Sequence, residues 1–114
     1  MRWEELKDDD CPLARALSVL DGRWTLIIVR DCLNGVSRFE DFHERLGCSR
    51  MTLSQRLSRL VETGILRTVE YQSNPPRRDY VLSEKGESLA AVLASMSDWA
   101  ESWIPRGARR APST

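Results

Sequence analysis

The hydrophobic residues in the first third of this chain recur at the spacing of short helices. A helix is predicted from Cys11-Pro12 to Leu20, because leucines recur there every three or four residues and proline suits a first helical turn. Asp21-Gly22 ends it. The apolar run from Trp24 to Leu33 would also suit a strand, but its length and the Asn34-Gly35 stop favour a buried helix.

Two further helical patterns follow each other across the break Gly47-Cys48-Ser49. The first, residues 38–46, has Phe39, Phe42 and Leu46 on one face. The second starts after Ser49, a good N-cap, and ends at Gly64. Its buried stripe is predicted to be Leu53, Leu57, Leu60 and Val61. A helix, a tight turn and a second helix with polar and basic side chains at its start is the arrangement that reads the DNA major groove.

A β-hairpin and a last helix are predicted for the rest of the chain. Residues 65–72 and 80–82 favour strands, and residues 73–78 are predicted to form a loop with Arg77 and Arg78 at its basic tip. The last helix begins at residues 83–86 and carries large apolar residues at alternating spacings of three and four: Leu89, Val92, Met96, Trp99 and Trp103. The predicted fold class is therefore mainly α with a small β-hairpin wing, a winged helix-turn-helix.

This pattern divides the 114 residues into four segments. Residues 1–10 are a polar lead-in, residues 11–83 the winged helix-turn-helix, residues 84–104 a terminal helix, and residues 105–114 a tail with the composition of disordered chain. The N-terminus lacks a secretory apolar region and no run is long enough to span a membrane, so a cytoplasmic protein without a membrane partner is expected.

Charge is unevenly distributed although the net charge is zero. Residues 1–48 carry seven basic and ten acidic residues, residues 49–78 carry six and two, and residues 79–114 carry four and five. The basic excess thus coincides with the second helix and the hairpin, and this local excess favours a nucleic-acid partner.

The ordered motifs of the chain resemble those of HxlR-type winged helix-turn-helix transcriptional regulators. The resemblance covers Cys11 to Trp103. It is carried by Cys11-Pro12, Gly22-Arg23-Trp24-Thr25-Leu26-Ile27-Ile28, Arg38-Phe39-Glu40-Asp41-Phe42, Leu53-Ser54-Gln55-Arg56-Leu57 with Leu60, Gly64-Ile65-Leu66, Pro75-Pro76-Arg77 and Tyr80-Val81-Leu82-Ser83-Glu84-Lys85-Gly86. The resemblance implies a homodimer bound to a palindromic DNA operator, which represses or activates nearby genes, sometimes in response to electrophiles or oxidants.

Two departures from that family pattern concern the reading helix. The turn Leu46-Gly47-Cys48-Ser49 is about one residue shorter than is usual in the family. Met51 stands where the family commonly has lysine or asparagine. The operator sequence therefore does not transfer from relatives.

Candidate DNA contacts follow from the chemistry of each side chain. Gln55 can bond an adenine edge, Met51 and Thr52 can touch a thymine methyl, and Arg56 or Arg59 could reach guanine or phosphate. Phosphate contacts are expected at the start of the second helix, from Ser49 and Arg50, and at the start of the preceding helix, from Arg38. Arg77 and Arg78 would contact the DNA backbone or the minor groove from the wing. Solvation of the helix surface is the alternative role for any one arginine.

The terminal helix is the expected dimer interface. Leu89 and Val92 could complete the monomer core, but Trp99 and Trp103 exceed what so small a core needs, and with Met96 they extend the seam. A twofold dimer would place two reading helices about 34 Å apart, one DNA turn. A winged-helix domain that uses these tryptophans to bind a foreign protein is an alternative.

Cys11 is the candidate redox sensor. The helix dipole at Pro12 would favour its thiolate, whereas Asp8, Asp9 and Asp10 oppose it, and a packed or capping thiol is the alternative. In the resembling family the matching cysteine senses oxidants or electrophiles in some members. A repressor switched at Cys11 is therefore an alternative function, with an oxidant or a small molecule as effector.

No catalytic or cofactor chemistry is expected. Three widely separated cysteines suit neither a disulfide framework nor a metal site, and His43 with Cys48 lacks further ligands nearby. The single histidine has no evident triad partner, and no glycine-rich phosphate loop occurs. The chain is predicted to be a DNA-binding regulator, without cofactor or metal, rather than an enzyme.

Overall fold

The computed structural model describes residues 2–107 and builds them from helices and one antiparallel hairpin. A 3-10 helix at Trp3–Asp8 precedes α1 (Pro12–Val19), α2 (Thr25–Leu33), α3 (Phe39–Leu46), α4 (Arg50–Glu62), β1 (Leu66–Ser73), β2 (Pro76–Leu82), α5 (Glu84–Glu87) and α6 (Ala90–Trp103). This architecture confirms the predicted fold class.

The core forms where α4 packs against α2 and α3. Leu53, Leu57 and Leu60 of α4 are essentially inaccessible to solvent, as are Ile28 and Phe42 of the two preceding helices. Burial of a leucine or phenylalanine side chain contributes about 1.5–3 kcal/mol, so this cluster determines how the three helices are arranged. The predicted apolar stripes of α3 and α4 are therefore confirmed.

Both ends of the turn between α3 and α4 have the conformations that the sequence suggested. Gly47 ends α3 in the left-handed region, at φ +72°. The Ser49 hydroxyl accepts a hydrogen bond of 3.1 Å from the backbone N–H of Thr52 and so caps α4. Gly64, at φ +81°, then turns the chain from α4 into the wing, where Ile65 and Leu66 return to the core.

The wing has longer strands than the sequence suggested, and the prediction of a loop over residues 73–78 was wrong. β2 begins at Pro76, which pairs with Ser73, so only residues 74 and 75 form the turn. Proline is tolerated here because the first residue of an edge strand need not donate to the ladder. Arg77 and Arg78 consequently lie within β2, opposite Gln72 and Glu70.

The C-terminal segment is two helices rather than one. Ser83 caps the short α5 by accepting from the Gly86 N–H, and α6 starts after a break at residues 88 and 89. Leu89 packs against the core, whereas Val92 and Met96 expose 42% and 51% of their surface. Leu89 is thus partly a core residue, which is the alternative that the sequence left open for it. The helix ends at Trp103, before Ile104-Pro105, as expected.

The N-terminal segment is more structured than a solvated lead-in. Leu6 of the 3-10 helix is buried at 5% exposure. His43 is half-buried and stacks on Phe39, with ring centroids 6.4 Å apart. Of the predicted disordered tail, residues 108–114 lie outside the described residues. Within residues 2–107 no helix has the length and apolar content needed to cross a membrane.

Gly86 joins the wing to the C-terminal helices, and its replacement tests this packing. A Cβ there would lie 2.2 Å from the Ile65 carbonyl oxygen and 2.9 Å from Leu82 Cδ2. Gly86→Ala should therefore reduce the free energy of unfolding by about 1–3 kcal/mol, as other overpacked sites do. Urea unfolding measures this, with the exposed neighbour Glu87→Ala as control. Equal stability of the two variants would contradict the close approach of these backbones.

Candidate nucleic-acid interface

The outward face of α4 is a polar surface next to a capped helix start. Met51 is 72% exposed and Gln55 is also exposed, because both lie opposite the buried leucines. Ser49 and Thr52 sit at the N-terminus, where the two hydroxyl oxygens are 3.0 Å apart. Unpaired N–H groups and the helix dipole make such an end favourable for an anion.

A groove of about 650 Å³ separates the start of α3 from the wing. Three of its lining residues are the arginines Arg38, Arg77 and Arg78. Arg38 donates to Asp79 Oδ1 at 3.2 Å, and its guanidinium lies 4.0 Å from the centroid of the Tyr71 ring. The ion pair and the aromatic face hold Arg38 between α3 and the wing.

Arg50, the first residue of α4, is bound to Glu40 in the first turn of α3. Its Nη1 and Nη2 donate to the two carboxylate oxygens of Glu40 at 2.7 and 2.9 Å. The guanidinium also lies 5.7 Å from the Phe39 ring centroid. The hydrogen bonds from Arg50 lower the pKa of Glu40, which keeps the pair charged to a lower pH than that of a free glutamate.

Two of the predicted DNA contacts point elsewhere. Arg59 Nη2 donates to the Ser18 carbonyl of α1 at 3.2 Å, and its Nη1 lies 3.7 Å from Glu62. Arg56 packs over Gly22, where an added Cβ would meet its Nη1 at 2.3 Å. The structure therefore groups Arg38, Arg50, Arg77 and Arg78 around α3 and the wing, and places Arg56 and Arg59 toward the junction of α1 and α2.

Large apolar side chains are exposed on two other surfaces. On and just beyond α6, Trp99, Trp103 and Ile104 expose 60%, 74% and 60% of their surface. Near the N-terminus, Trp3, Leu6, Leu13 and Leu17 line an apolar groove of about 290 Å³ that also reaches Cys11. The sequence pattern identified the first surface but treated Leu13 and Leu17 only as helix-forming residues. A lone short helix gives no sign of which face stays uncovered.

The cysteines have three different environments. Cys11 is exposed, and its backbone N–H donates to Asp9 Oδ1 at 2.8 Å. Cys48 is buried in the core. Burial, with the nearby Asp31 carboxylate adding to it, raises the pKa of the Cys32 thiol to about 12. Cys32 is consequently a neutral, unreactive thiol at physiological pH, and Cys11 has the most accessible sulfur of the three.

Glu40, Tyr71 and Asp79 were not among the predicted site residues, yet they contact the arginines that were. Glu40 is ten positions from Arg50, and Asp79 is 41 positions from Arg38. No local spacing rule joins such residues, since their contacts depend on how α3 packs against α4 and the wing. The one usable signal was that Glu40 and Asp79 lie close in sequence to the predicted basic residues Arg38 and Arg78.

The core of α2, α3 and α4, the exposed outer face of α4 and the flanking hairpin define this protein as a winged helix-turn-helix. Residues 19–108 match the HxlR-like helix-turn-helix family model. The chain therefore belongs to that family, as its motifs suggested. The family's named members are transcriptional regulators, not enzymes.

Relatives from several bacteria share most of the chain. The uncharacterized HTH-type transcriptional regulator Rv3095 of Mycobacterium tuberculosis is 42% identical over 94 residues, which cover 82% of this chain and 60% of the relative. This chain thus spans only about 60% of the length of its mycobacterial relatives. The uncharacterized HTH-type transcriptional regulator YvaP of Bacillus subtilis is 36% identical, covering 82% of this chain and 89% of YvaP.

Two solved structures of regulators are similar throughout the fold. The reduced form of the transcriptional regulator YodB from B. subtilis superimposes with a TM-score of 0.71 at 31% identity, covering 84% of this chain and 96% of YodB. The redox regulator HypR in its reduced form gives a TM-score of 0.74 at 29% identity, covering 81% of this chain and 92% of HypR.

Proposed function

We propose that this chain is a homodimeric transcriptional regulator that binds a palindromic DNA operator in the cytoplasm. The observation that carries the proposal is the position of the exposed α4 face beside a groove lined by three arginines. Phosphate contacts orient a protein on the duplex, and base contacts select the sequence. The chain offers separate groups for each task.

Phosphate contacts are assigned to residues around α4, in the groove beside it and at its N-terminus. Arg38, Arg77 and Arg78 line the groove between α3 and the wing, and Ser49 with Arg50 occupies the start of α4. This spacing would let one DNA backbone follow the groove while α4 enters the major groove. The excess of six basic over two acidic residues in residues 49–78 supports the same polyanionic partner.

Base edges are assigned to Met51, Thr52 and Gln55. Gln55 combines a donor and an acceptor that match adenine, and Met51 offers an exposed apolar surface for a thymine methyl. Arg56 and Arg59 are left out of this group because their guanidinium groups contact Gly22 and Ser18. We assign them a supporting role in holding α4 against α1 and α2.

Gln55→Ala tests the assignment of base contacts. Loss of a bidentate base contact should cost about 1–3 kcal/mol of operator affinity and relax the preference at one position. Duplexes selected from a random pool by the wild-type and variant proteins would measure both effects.

The comparison variant is Arg59→Ala, which we expect to leave base preference unchanged. A changed preference in Arg59→Ala but not in Gln55→Ala would contradict the assignment. If the wild-type chain showed no salt-dependent duplex binding, a protein-interaction role would be favoured instead.

The proposed dimer uses the exposed apolar side chains of α6. Val92, Met96, Trp99 and Trp103 lie on one side of this helix, and each exposes at least 42% of its surface. Within residues 2–107 every residue of α6 remains at least partly accessible, which is unusual for so apolar a helix. The radius of gyration, 16.4 Å, also exceeds the about 13 Å expected for a compact chain of this length. A second copy covering α6 would account for both observations.

Trp99→Glu should convert the dimer to monomer at micromolar concentration, because it places a charge within the apolar surface. Ala94→Glu adds the same charge to the far side of α6, where the side chain is exposed, and should leave the dimer intact. Sedimentation velocity distinguishes the two variants. A wild-type chain that sediments only as monomer would disprove the proposed assembly.

Redox control through Cys11 is the second candidate function. It is supported by the exposure of this thiol on an apolar groove and by the similarity to HypR, a redox regulator. Cys32 and Cys48 are poorly suited to the role because they are largely or wholly buried. Small electrophiles would also react with the Cys11 sulfur before they reached those of Cys32 and Cys48.

Diamide with added glutathione, which joins a protein thiol and glutathione in a mixed disulfide while diamide takes up their two electrons and two protons, should weaken operator binding at least tenfold if Cys11 is a switch. Dithiothreitol should restore binding. Cys11→Ser should be insensitive to the oxidant, whereas Cys48→Ser should respond like the wild type. Operator titrations by fluorescence anisotropy measure the effect, and equal affinities before and after oxidation would rule the switch out.

A further inference from the structure

Glu40 is an acidic residue inside a surface that otherwise collects arginines. Its carboxylate accepts both hydrogen bonds from the Arg50 fork, at 2.7 and 2.9 Å. Neither partner is shielded from solvent, since their side chains are 60% and 67% exposed for Arg50 and Glu40, respectively. The pair therefore lies on the outer surface, where DNA would approach, rather than in the core.

The geometry of this ion pair resembles the contact that Arg50 would make with DNA. A carboxylate and a phosphate both present two anionic oxygens to the planar guanidinium fork. While Glu40 occupies one edge of Arg50, that edge is not available to a phosphate. Arg77 of the wing adds a weaker favourable charge interaction with the same carboxylate, so Glu40 lies among the proposed phosphate-binding groups.

We infer that Glu40 acts as an intramolecular substitute for a DNA phosphate and competes with DNA for Arg50. The inference rests on the proposed duplex binding. An exposed ion pair is weak enough to be exchanged, so DNA can displace Glu40, but each binding event must break the pair and leave a carboxylate near the duplex. Glu40 thereby lowers the affinity of the protein for duplex of any sequence.

Glu40→Gln tests the competition because it retains the side-chain shape and removes the charge. Affinity should rise roughly two- to fivefold, by about the same factor for a selected operator and a random duplex, as expected from the strength of an exposed pair. The plot of log affinity against log salt should become steeper by up to about 0.9, the value for one additional phosphate contact.

Two further variants separate this competition from a general charge effect. Asp41→Asn removes a charge from the next residue, which is exposed in the same turn of α3, and should raise affinity less than Glu40→Gln. In an Arg50→Ala background, the gain from Glu40→Gln should disappear. Thermal unfolding of each variant would verify that the fold is retained.

The inference would be overturned if Asp41→Asn raised DNA affinity as much as Glu40→Gln, or if Glu40→Gln still raised affinity in the Arg50→Ala background. A changed base preference in Glu40→Gln would also overturn it, because Glu40 would then contact bases. An unchanged affinity in Glu40→Gln, with normal salt-dependent binding by the wild type, would also reject it while leaving the proposed function intact. Absence of duplex binding by the wild type would reject both.

Discussion

The burial of three leucines on one side of α4 is the constraint on which the rest of the structure depends. Leu53, Leu57 and Leu60 are excluded from solvent against α2 and α3. Since a helix turns 100° per residue, fixing this face also fixes the opposite one, and Met51 and Gln55 must point outward. A polar substitution among the leucines would therefore disturb both stability and the orientation of the reading surface. The packing that buries one face of α4 therefore also orients the opposite face, which is the face proposed to contact DNA.

The end of α4 is joined closely to the start of the C-terminal helices. Lys85 Nζ donates to the Thr63 carbonyl at 2.7 Å, and the Ser83 hydroxyl donates to the carbonyls of Gly64 and Ile65. Gly86 brings the two backbones so near that a side chain cannot be inserted. Because α5 leads directly into α6, a shift of the proposed dimer helix would be passed to α4 through these contacts. In the proposed dimer, these contacts would couple the separation of the two α4 helices to events at the α6 interface.

The sequence was sufficient for features set by local periodicity and insufficient for those set by tertiary contacts. Ser49 as a cap, Gly64 as a stop and the leucine stripe of α4 depend on neighbours within one helix, and each was predicted correctly. The extent of β2 was not, because the strength of proline and asparagine as turn signals hid the pairing that continues to Pro76. Arg59 was placed with the DNA contacts because an arginine on α4 can bond guanine or phosphate. Its long side chain instead reaches the Ser18 carbonyl of α1, 41 positions away, which no helical wheel shows.

Zero net charge and DNA binding are compatible because the basic excess is local, in residues 49–78, although some of the arginines around α3 and the wing are already paired. Arg38 is held by Asp79 and Arg50 by Glu40, so two of the four arginines around α3 and the wing are already neutralised in the free protein. Non-specific affinity for DNA arises almost wholly from phosphate contacts, whereas base contacts add only when the sequence fits. A surface with fully free arginines would bind the large excess of unrelated sequence too well. In the proposed mode of binding, carboxylates that hold the same arginines would reduce this background and leave the proposed base contacts of the uncharged side chains Met51 and Gln55 unaffected, so a larger share of the total affinity would depend on sequence.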